Sequence, residues 1–126
     1  MKKLLVLVVV LILIGAVSWA QSEIGTGQWL HDGWRALQKY QNGQYATMQD
    51  SDFLLQGMFM GYVMGTAEIL HAAQWIELPK GYTPMQLCTI VGKFTDSHPE
   101  KWNDLAVGSF VRALVAVWPG KVTPHP

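Results

Sequence analysis

Residues 52–73, DFLLQGMFMGYVMGTAEILHAA, form a long and mainly apolar segment in the middle of the chain. Asp50 or Ser51, just before it, is a typical helix cap, and the segment predicts one long helix. Three glycines within it are spaced four residues apart: Gly57, Gly61 and Gly65. Residues at this spacing share one face of a helix.

These glycines need a physical reason, because each lowers the stability of a helix by about 1 kcal/mol relative to alanine. Close packing of another helix against this face is the natural reason, and we expect it here. Pairing of glycine faces inside a membrane is a second explanation. We set it aside because Gln56, Glu68 and His71 leave too short an apolar stretch to span a bilayer.

Two further helices are predicted, one on each side of this segment. Apolar residues recur at helical spacing in residues 28–41: Leu30, Trp34 and Leu37. After the segment, Thr83 is placed to cap a helix whose first position is Pro84. Gln86 stands where its side chain can reach back to the cap, which completes a capping box.

A fourth helix is predicted to follow the cap at 97–100 and to end at Trp118. The sequence Ser-His-Pro-Glu at 97–100 repeats the cap pattern, and Pro119-Gly120 ends the helix. Apolar residues surround this helix on nearly all sides, which predicts a buried position. We expect it to form, with the helix over residues 52–73, the centre of a compact all-α domain. No segment shows sustained strand alternation, so we predict a single four-helix domain with short turns.

The first twenty residues have the order of a signal peptide. Lys2 and Lys3 precede an unbroken apolar run over residues 4–17, and small residues at 18 and 20 form a cleavage site. We predict a signal peptide over 1–20, a domain over 21–120, a flexible tail over 121–126, and a periplasmic protein. An uncleaved membrane anchor is the alternative. After cleavage we expect no contact with the membrane.

Composition restricts the class of partner. Half of the 126 residues are hydrophobic, 14% are charged, and the formal net charge is zero. A protein that binds nucleic acid would carry a basic stripe, so that class is excluded. The single cysteine, Cys88, has no partner for an internal disulfide, and we expect a buried thiol.

No catalytic set can be assembled from the sequence. Glu68-x-x-His71 has the spacing of half a di-iron site, but such a site needs a second copy and two further carboxylates. His31-Asp32 is interpreted as a pair on a solvated face, and no serine lies in a nucleophile elbow. We therefore predict a binding module that is not an enzyme and has no metal site and no cofactor.

Several short motifs follow one another along the chain. They are GQWL at 27–30, GYVMG at 61–65, LPKGYT at 78–83, Gln86-Leu87 with Val91, HPE at 98–100, and Ala113-Leu114 with Trp118-Pro119. Their order and spacing resemble the Rap/Tai family of exported immunity proteins of type VI secretion systems. The resemblance covers about the whole chain after the leader.

The resemblance implies a compact all-α periplasmic protein, often a homodimer, that binds and blocks a peptidoglycan-cleaving amidase. The inhibitory surfaces of the family include loops that enter the active-site cleft of the amidase, and occlusion needs no catalysis by the inhibitor. The chain departs from the family at positions that commonly hold cysteine. Those positions are here Gly33 or Trp34, Phe59, Glu77 and Gly120, so the disulfides of the family are missing.

Two segments are predicted to contact the amidase, the loop over residues 75–83 and the turn over 98–101. The contact residues expected are Trp75, Glu77, Lys80, Tyr82, His98 and Lys101. Of these, Glu77, Lys80 and Tyr82 are expected to be the most exposed. An ordinary connecting role is the alternative for both segments. The alternative function is a periplasmic structural or chaperone-like helical module that self-associates through its glycine face.

Overall fold

The computed structural model describes residues 25–121, and these form an all-α domain, as predicted. Its helices are α1 (Gly27–Gln41), α2 (Asp50–Ala72), α3 (Pro84–Ser97) and α4 (Ala106–Val117), with single 3-10 turns at Tyr45–Thr47 and Pro99–Lys101. An isolated antiparallel bridge joins Thr26 to Leu105. The predicted signal peptide, and the predicted tail beyond Lys121, lie outside the described residues.

The start of α3 confirms the predicted capping box. The hydroxyl oxygen of Thr83 accepts a hydrogen bond from the backbone N–H of Gln86 at 3.2 Å. In return, the backbone N–H of Thr83 donates to Oε1 of Gln86 at 2.8 Å. With Pro84 at the first position, two N–H groups that have no partner within the helix are satisfied locally.

The start of α2 differs from the prediction, because Gln49 is its cap rather than Asp50 or Ser51. The Asp52 carboxylate accepts a hydrogen bond from the backbone N–H of Gln49 at 3.0 Å and lies 3.2 Å from Nζ of Lys39. These two contacts lower the pKa of Asp52. Their contribution to stability is therefore present at neutral pH and is lost as the pH falls into the range where Asp52 is protonated.

The centre of the domain is α1, which packs against each of the other three helices. The prediction that α2 and the last helix form the centre is wrong, because these two make few direct contacts. The last helix is not buried on all sides either. It buries the side that carries Phe110 and Leu114, whereas Val107 and Val115 on its other side are exposed.

The last helix also begins later than the cap pattern at 97–100 predicted, at Ala106, and residues Pro99–Lys101 form only a 3-10 turn. The backbone that precedes this helix instead forms hydrogen bonds with the start of α1. The carbonyl oxygens of Trp102 and Asp104 accept hydrogen bonds from the N–H groups of Gln28 and Gly27 at 2.8 and 2.9 Å. The N–H of Ala106 donates to the carbonyl oxygen of Gly25 at 2.6 Å. Tertiary contacts thus replace the helical turn that the sequence pattern favoured.

The glycines that allow close packing are not the predicted ones. A Cβ atom on Gly33 of α1 would lie 2.6 Å from Cβ of Phe59 in α2, and a Cβ atom on Gly92 of α3 would overlap the indole ring of Trp34 in α1. Gly27 similarly lies against the carbonyl oxygen of Lys101. The contacts of α1 with α2 and α3 are close because these positions have no side chain.

The three predicted glycines of α2 instead face away from the rest of the domain. Apart from the nearby backbone of α2 itself, nothing in the described chain lies within 4 Å of where a Cβ atom would be on any of them: Gly57, Gly61 and Gly65. The helix that was expected to pack on this face is therefore not one of the four described helices. The residues of α2 that meet the core are Phe59, Val63 and Ala67, which lie on the opposite side of the helix.

Candidate partner-binding site

The loop between α2 and α3 is anchored by alternate residues. Ile76 and Leu78 are buried in the core, whereas Trp75 and Glu77 are exposed. Successive side chains of an extended backbone point to opposite sides. The loop therefore holds its exposed side chains in place through the buried ones between them.

The entry to this loop is a tight helix end. The N–H of Gln74 donates to the carbonyl oxygen of His71 at 3.0 Å, and the N–H of Trp75 donates to that of Leu70 at 2.9 Å. These are the two bonds of a Schellman motif, whose left-handed position usually holds glycine. Here Gln74 occupies it with a φ of 61°. A non-glycine residue in this region costs of order 1–3 kcal/mol and persists only where surrounding contacts hold it.

The end of the described chain holds the loop from the other side. The N–H of Glu77 donates to the carbonyl oxygen of Lys121 at 2.6 Å, and Nζ of Lys121 lies 3.2 Å from Oε1 of Glu77. Lys121, the first residue of the predicted tail, thus bonds to the loop through both its backbone and its side chain. Glu77 therefore has an intramolecular partner, although two thirds of its side chain remain exposed.

Exposure within the loop agrees with the prediction for Glu77 and Lys80 and differs for Tyr82. Lys80 is exposed, and so is the aromatic ring of Trp75. Tyr82 is only partly exposed, because it packs against the core cluster next to the start of α3. The surface that the loop presents is therefore formed by Trp75, Glu77 and Lys80, which we call the loop surface.

The second predicted segment lies at the other end of α3, about 20 Å away by helix length. Nδ1 of His98 lies 2.8 Å from the carbonyl oxygen of Phe94, and the two rings stack at 4.0 Å. Nζ of Lys101 lies 3.7 Å from Asp104. Both side chains have local structural contacts, and the structure does not bring this turn together with the loop surface.

A polar cluster between α1 and α3 was not predicted. The indole Nε1 of Trp34 donates to Oδ2 of Asp96 at 2.8 Å, and Nδ1 of His31 lies 3.2 Å from Oδ1 of the same carboxylate. The His31 ring also stacks on Trp102 at 4.4 Å, so the interpretation of His31 as solvated is wrong. The sequence feature that could have indicated this cluster is the three-residue spacing of His31 and Trp34, which places both side chains on one helix face.

A cleft of about 540 Å³ opens beside the start of α1. Trp29, Leu55 and Trp102 line it with apolar surface, and Gln28 and Asp32 add polar groups. Gln28 Nε2 donates to Oδ1 of Asp32 at 2.9 Å, so the two polar groups already satisfy each other in part. None of the predicted contact residues lines this cleft.

Metal ligands do not converge in residues 25–121: no group of three or more His, Cys, Asp or Glu side chains is close enough to hold an ion. Glu68 and His71 are both exposed on α2. Nδ1 of His71 lies 3.3 Å from the carbonyl oxygen of Ile76, which gives it a local contact at the end of the helix.

Cys88 is fully buried in α3, and burial raises the pKa of its thiol to about 11. Since the thiolate is the reactive form, we expect iodoacetamide at pH 8 to leave the folded protein unlabelled over hours. The same reagent should label the chain fully in denaturant, which serves as the control. Intact mass spectrometry measures both. Rapid labelling without denaturant would contradict this prediction and reveal opening of the core at α3.

The comparison with protein families returns the model of the Rap1a immunity proteins, which matches residues 26–120. No curated protein and no solved structure matches the chain in the corresponding comparisons. The family match begins just before α1 and ends just before Lys121, so it includes all four helices, the loop surface and the turn at 98–101. The chain therefore belongs to the family of Rap1a immunity proteins.

Proposed function

We propose that this immunity protein acts in the periplasm, where it binds a peptidoglycan amidase of a type VI secretion system and occludes its active-site cleft. Membership of the immunity family supports a toxin as the partner. The amidase target and the inhibitory use of a loop rest on the resemblance to the Rap/Tai proteins. Export rests on the order of charges and apolar residues in the first twenty positions.

The observation that carries this proposal is the way the loop surface is held. Buried Ile76 and Leu78 fix the loop from within, and Lys121 fixes it from the side. A loop that is already ordered loses little conformational freedom on binding, which favours affinity. The exposed indole of Trp75 at its edge is the type of side chain that most often anchors a protein interface.

Occlusion assigns no catalytic step to this chain. A side chain that fills the amidase cleft excludes substrate by its volume, so the inhibitor needs no nucleophile and no metal. This agrees with the burial of Cys88, which withholds the single thiol of the sequence from solvent. We propose accordingly that the protein is not an enzyme and requires no cofactor.

A protection assay tests the function. A candidate amidase encoded beside this gene is directed to the periplasm and expressed alone, with the full chain, or with the chain lacking residues 1–20. We expect lysis, followed by optical density, to be prevented only by the full chain. N-terminal sequencing of the periplasmic protein should begin at Gln21. Lysis despite abundant periplasmic protein would contradict the proposed target.

The loop surface is tested by Trp75→Ala. We expect this change to weaken amidase binding about 30-fold, because loss of an interface anchor typically costs about 2 kcal/mol of binding free energy. Tyr45→Ala is the matched control. Tyr45 is a similarly exposed aromatic residue, but it precedes α2 in the sequence, whereas the loop follows that helix. Isothermal titration calorimetry measures both affinities. If the two variants bind the amidase with equal affinity, the loop is not part of the interface.

Glu77 needs a separate control because it also bonds to Lys121. If Glu77 contacts the amidase directly, Glu77→Ala weakens binding whereas Lys121→Ala does not. If Glu77 acts only by holding the loop, the two variants weaken binding equally, because each breaks the same ion pair at 3.2 Å. Comparing the two affinities therefore separates contact from anchoring, and unchanged binding in both variants would exclude Glu77 from the site.

A further inference from the structure

The cleft beside the start of α1, with its volume of about 540 Å³, combines apolar walls with one charged side chain. The indoles of Trp29 and Trp102 and the side chain of Leu55 form the apolar walls. Among the described residues that line the cleft, Asp32 is the charged one, and three are neutral and polar: Thr26, Gln28 and Asn103. Ligand-binding clefts typically have this size and this mixture of apolar walls with a few polar groups.

Asp32 has no cationic partner in residues 25–121. Its Oδ1 atom accepts a hydrogen bond from the neutral amide of Gln28 at 2.9 Å, and no lysine, arginine or histidine nitrogen in that range lies within 4 Å of the carboxylate. Arg35, one turn further along α1, donates to Gln38 at 3.4 Å instead. The carboxylate therefore brings to the cleft a negative charge that no described cation contacts.

The two cations near Trp102 are also paired with another residue. Lys101 precedes Trp102 in the sequence, and its Nζ lies 3.7 Å from Oδ2 of Asp104. The same oxygen accepts a hydrogen bond from Nη1 of Arg112 at 2.9 Å. The charge of the cleft therefore favours a cation from outside the domain and disfavours an anionic ligand.

The indole walls of the cleft are held by contacts within the domain. Nε1 of Trp102 donates to the carbonyl oxygen of Thr95 at 2.9 Å, and the His31 ring stacks on the same indole at 4.4 Å. Trp29 is nearly buried, and its ring meets that of Tyr62 edge to face at 5.4 Å. Both walls are therefore in place before a ligand arrives, which lowers the entropic cost of binding.

We propose that this cleft receives an arginine side chain from a peptide segment of a protein partner. A cation is attracted to the face of an indole, and arginine makes this contact more often than lysine. The planar guanidinium also donates two parallel N–H groups to a carboxylate. A carboxylate has about four acceptor sites, so the bond from Gln28 leaves Asp32 able to accept both.

The other lining residues fit the peptide that carries the arginine. Leu55 offers apolar surface to the methylene stem of the side chain, which arginine buries while its charged head stays polar. Gln28 and Asn103 are exposed, and their amides both donate and accept hydrogen bonds, as a peptide backbone does. A free organic cation would leave these amides to water, so a peptide is the favoured source of the charge.

This inference goes beyond the proposed function, because the cleft and the loop surface are different parts of the molecule. Leu55 lies about 26 Å along the axis of α2 from Ala72, where the helix ends before the loop. Binding in the cleft is measured without an amidase. The two proposals therefore succeed or fail separately.

Titration of the purified protein with two peptides tests the proposal. The probe is acetyl-Gly-Arg-Gly-amide, and its matched control carries citrulline, a neutral side chain of almost the same shape, in place of arginine. We expect the arginine peptide to bind about tenfold more tightly, since it alone makes cation–π and charge-assisted contacts. Heteronuclear NMR of the indole N–H groups locates the site. The signal of Trp102 should shift, whereas that of Trp75, exposed on the loop surface, should not.

Asp32→Asn tests whether the charge is the cause of this preference. The variant keeps an acceptor for Gln28 and changes an exposed side chain, so its melting temperature should equal that of the wild-type chain. We expect it to bind both peptides equally, with the affinity of the citrulline peptide for the wild type. Asp50→Asn neutralises an exposed carboxylate at the start of α2 and should keep the tenfold preference.

Several results would overturn the proposal. They are no binding of the arginine peptide, equal binding of the two peptides by the wild type, a preference for arginine that survives Asp32→Asn, and a shift confined to Trp75. A neutral sugar is the other ligand to test, because it would use the indoles and amides of the cleft but would gain less from the charge of Asp32. Tighter binding of chitobiose than of the arginine peptide would assign the cleft to a glycan instead.

Discussion

Gly92→Ala is expected to lower the free energy of unfolding by about 3 kcal/mol, the upper part of the usual range for overpacking a core. The added methyl group would occupy the space of the Trp34 indole ring. That ring has little freedom to move away, because it is buried and its Nε1 donates to Asp96 at 2.8 Å. Urea denaturation followed by circular dichroism measures the loss.

A double-mutant cycle isolates the cause of this loss. In a Trp34→Ala background the space beside position 92 is empty, so adding Gly92→Ala should cost little more. Gly108→Ala is the matched control, since a Cβ atom there meets only the end of the Arg112 side chain at 3.8 Å. It should leave stability unchanged or slightly higher. Additive losses in the cycle would show that contact with Trp34 is not the reason for glycine at position 92.

Phe59→Ala is expected to lower the free energy of unfolding by about 3–5 kcal/mol. Phe59 is 0% exposed and lies at the crossing of α1 and α2, where its Cβ occupies the space left by Gly33. Small domains are stable by only about 5–15 kcal/mol in total, so this variant should be close to unfolding at 37 °C.

The same helix provides the control for that prediction. Phe53 is also in α2 but is 42% exposed, and Phe53→Ala should change the free energy of unfolding by less than about 1 kcal/mol. Thermal melts of the two variants compare the same Phe→Ala change at a buried and at an exposed position of one helix. Similar losses at the two positions would mean that α2 is not oriented with Phe59 toward the core.

Local chemistry made parts of the fold predictable from the sequence. Thr83, Pro84 and Gln86 fix the start of α3 through bonds between residues three apart, so nothing distant is needed to predict them. The helical spacing in α1 is similarly local. The loop between α2 and α3 was predictable because Leu78-Pro79-Lys80-Gly81 interrupts the helical pattern between two helices, whereas its use as a contact surface rests on the family resemblance.

The remaining errors come from contacts between distant segments. The start of α4 depends on backbone hydrogen bonds from the N–H groups of Gly27 and Gln28 to the carbonyl oxygens of Asp104 and Trp102. The spacing of apolar residues along the sequence does not reveal such bonds. The role of each glycine depends on what faces it: Gly92 meets Trp34, whereas Gly61 meets nothing in the described chain. Tyr82 is less exposed than predicted because it packs against the core cluster, a tertiary contact that the local sequence does not reveal.

The contacts around Phe59 and Glu77 have a consequence for biogenesis. By resemblance, these are positions at which the Rap/Tai proteins commonly carry cysteine. Here Gly33 and Trp34 pack on Phe59, while Glu77 bonds to Lys121, beside Gly120. Noncovalent contacts thus hold the segments that carry these four positions. Maturation of this chain should need no thiol oxidase or disulfide isomerase, and a reducing cytosol should yield the same native fold as an oxidising compartment. With one cysteine in the whole sequence, mispaired intramolecular disulfides cannot arise during folding.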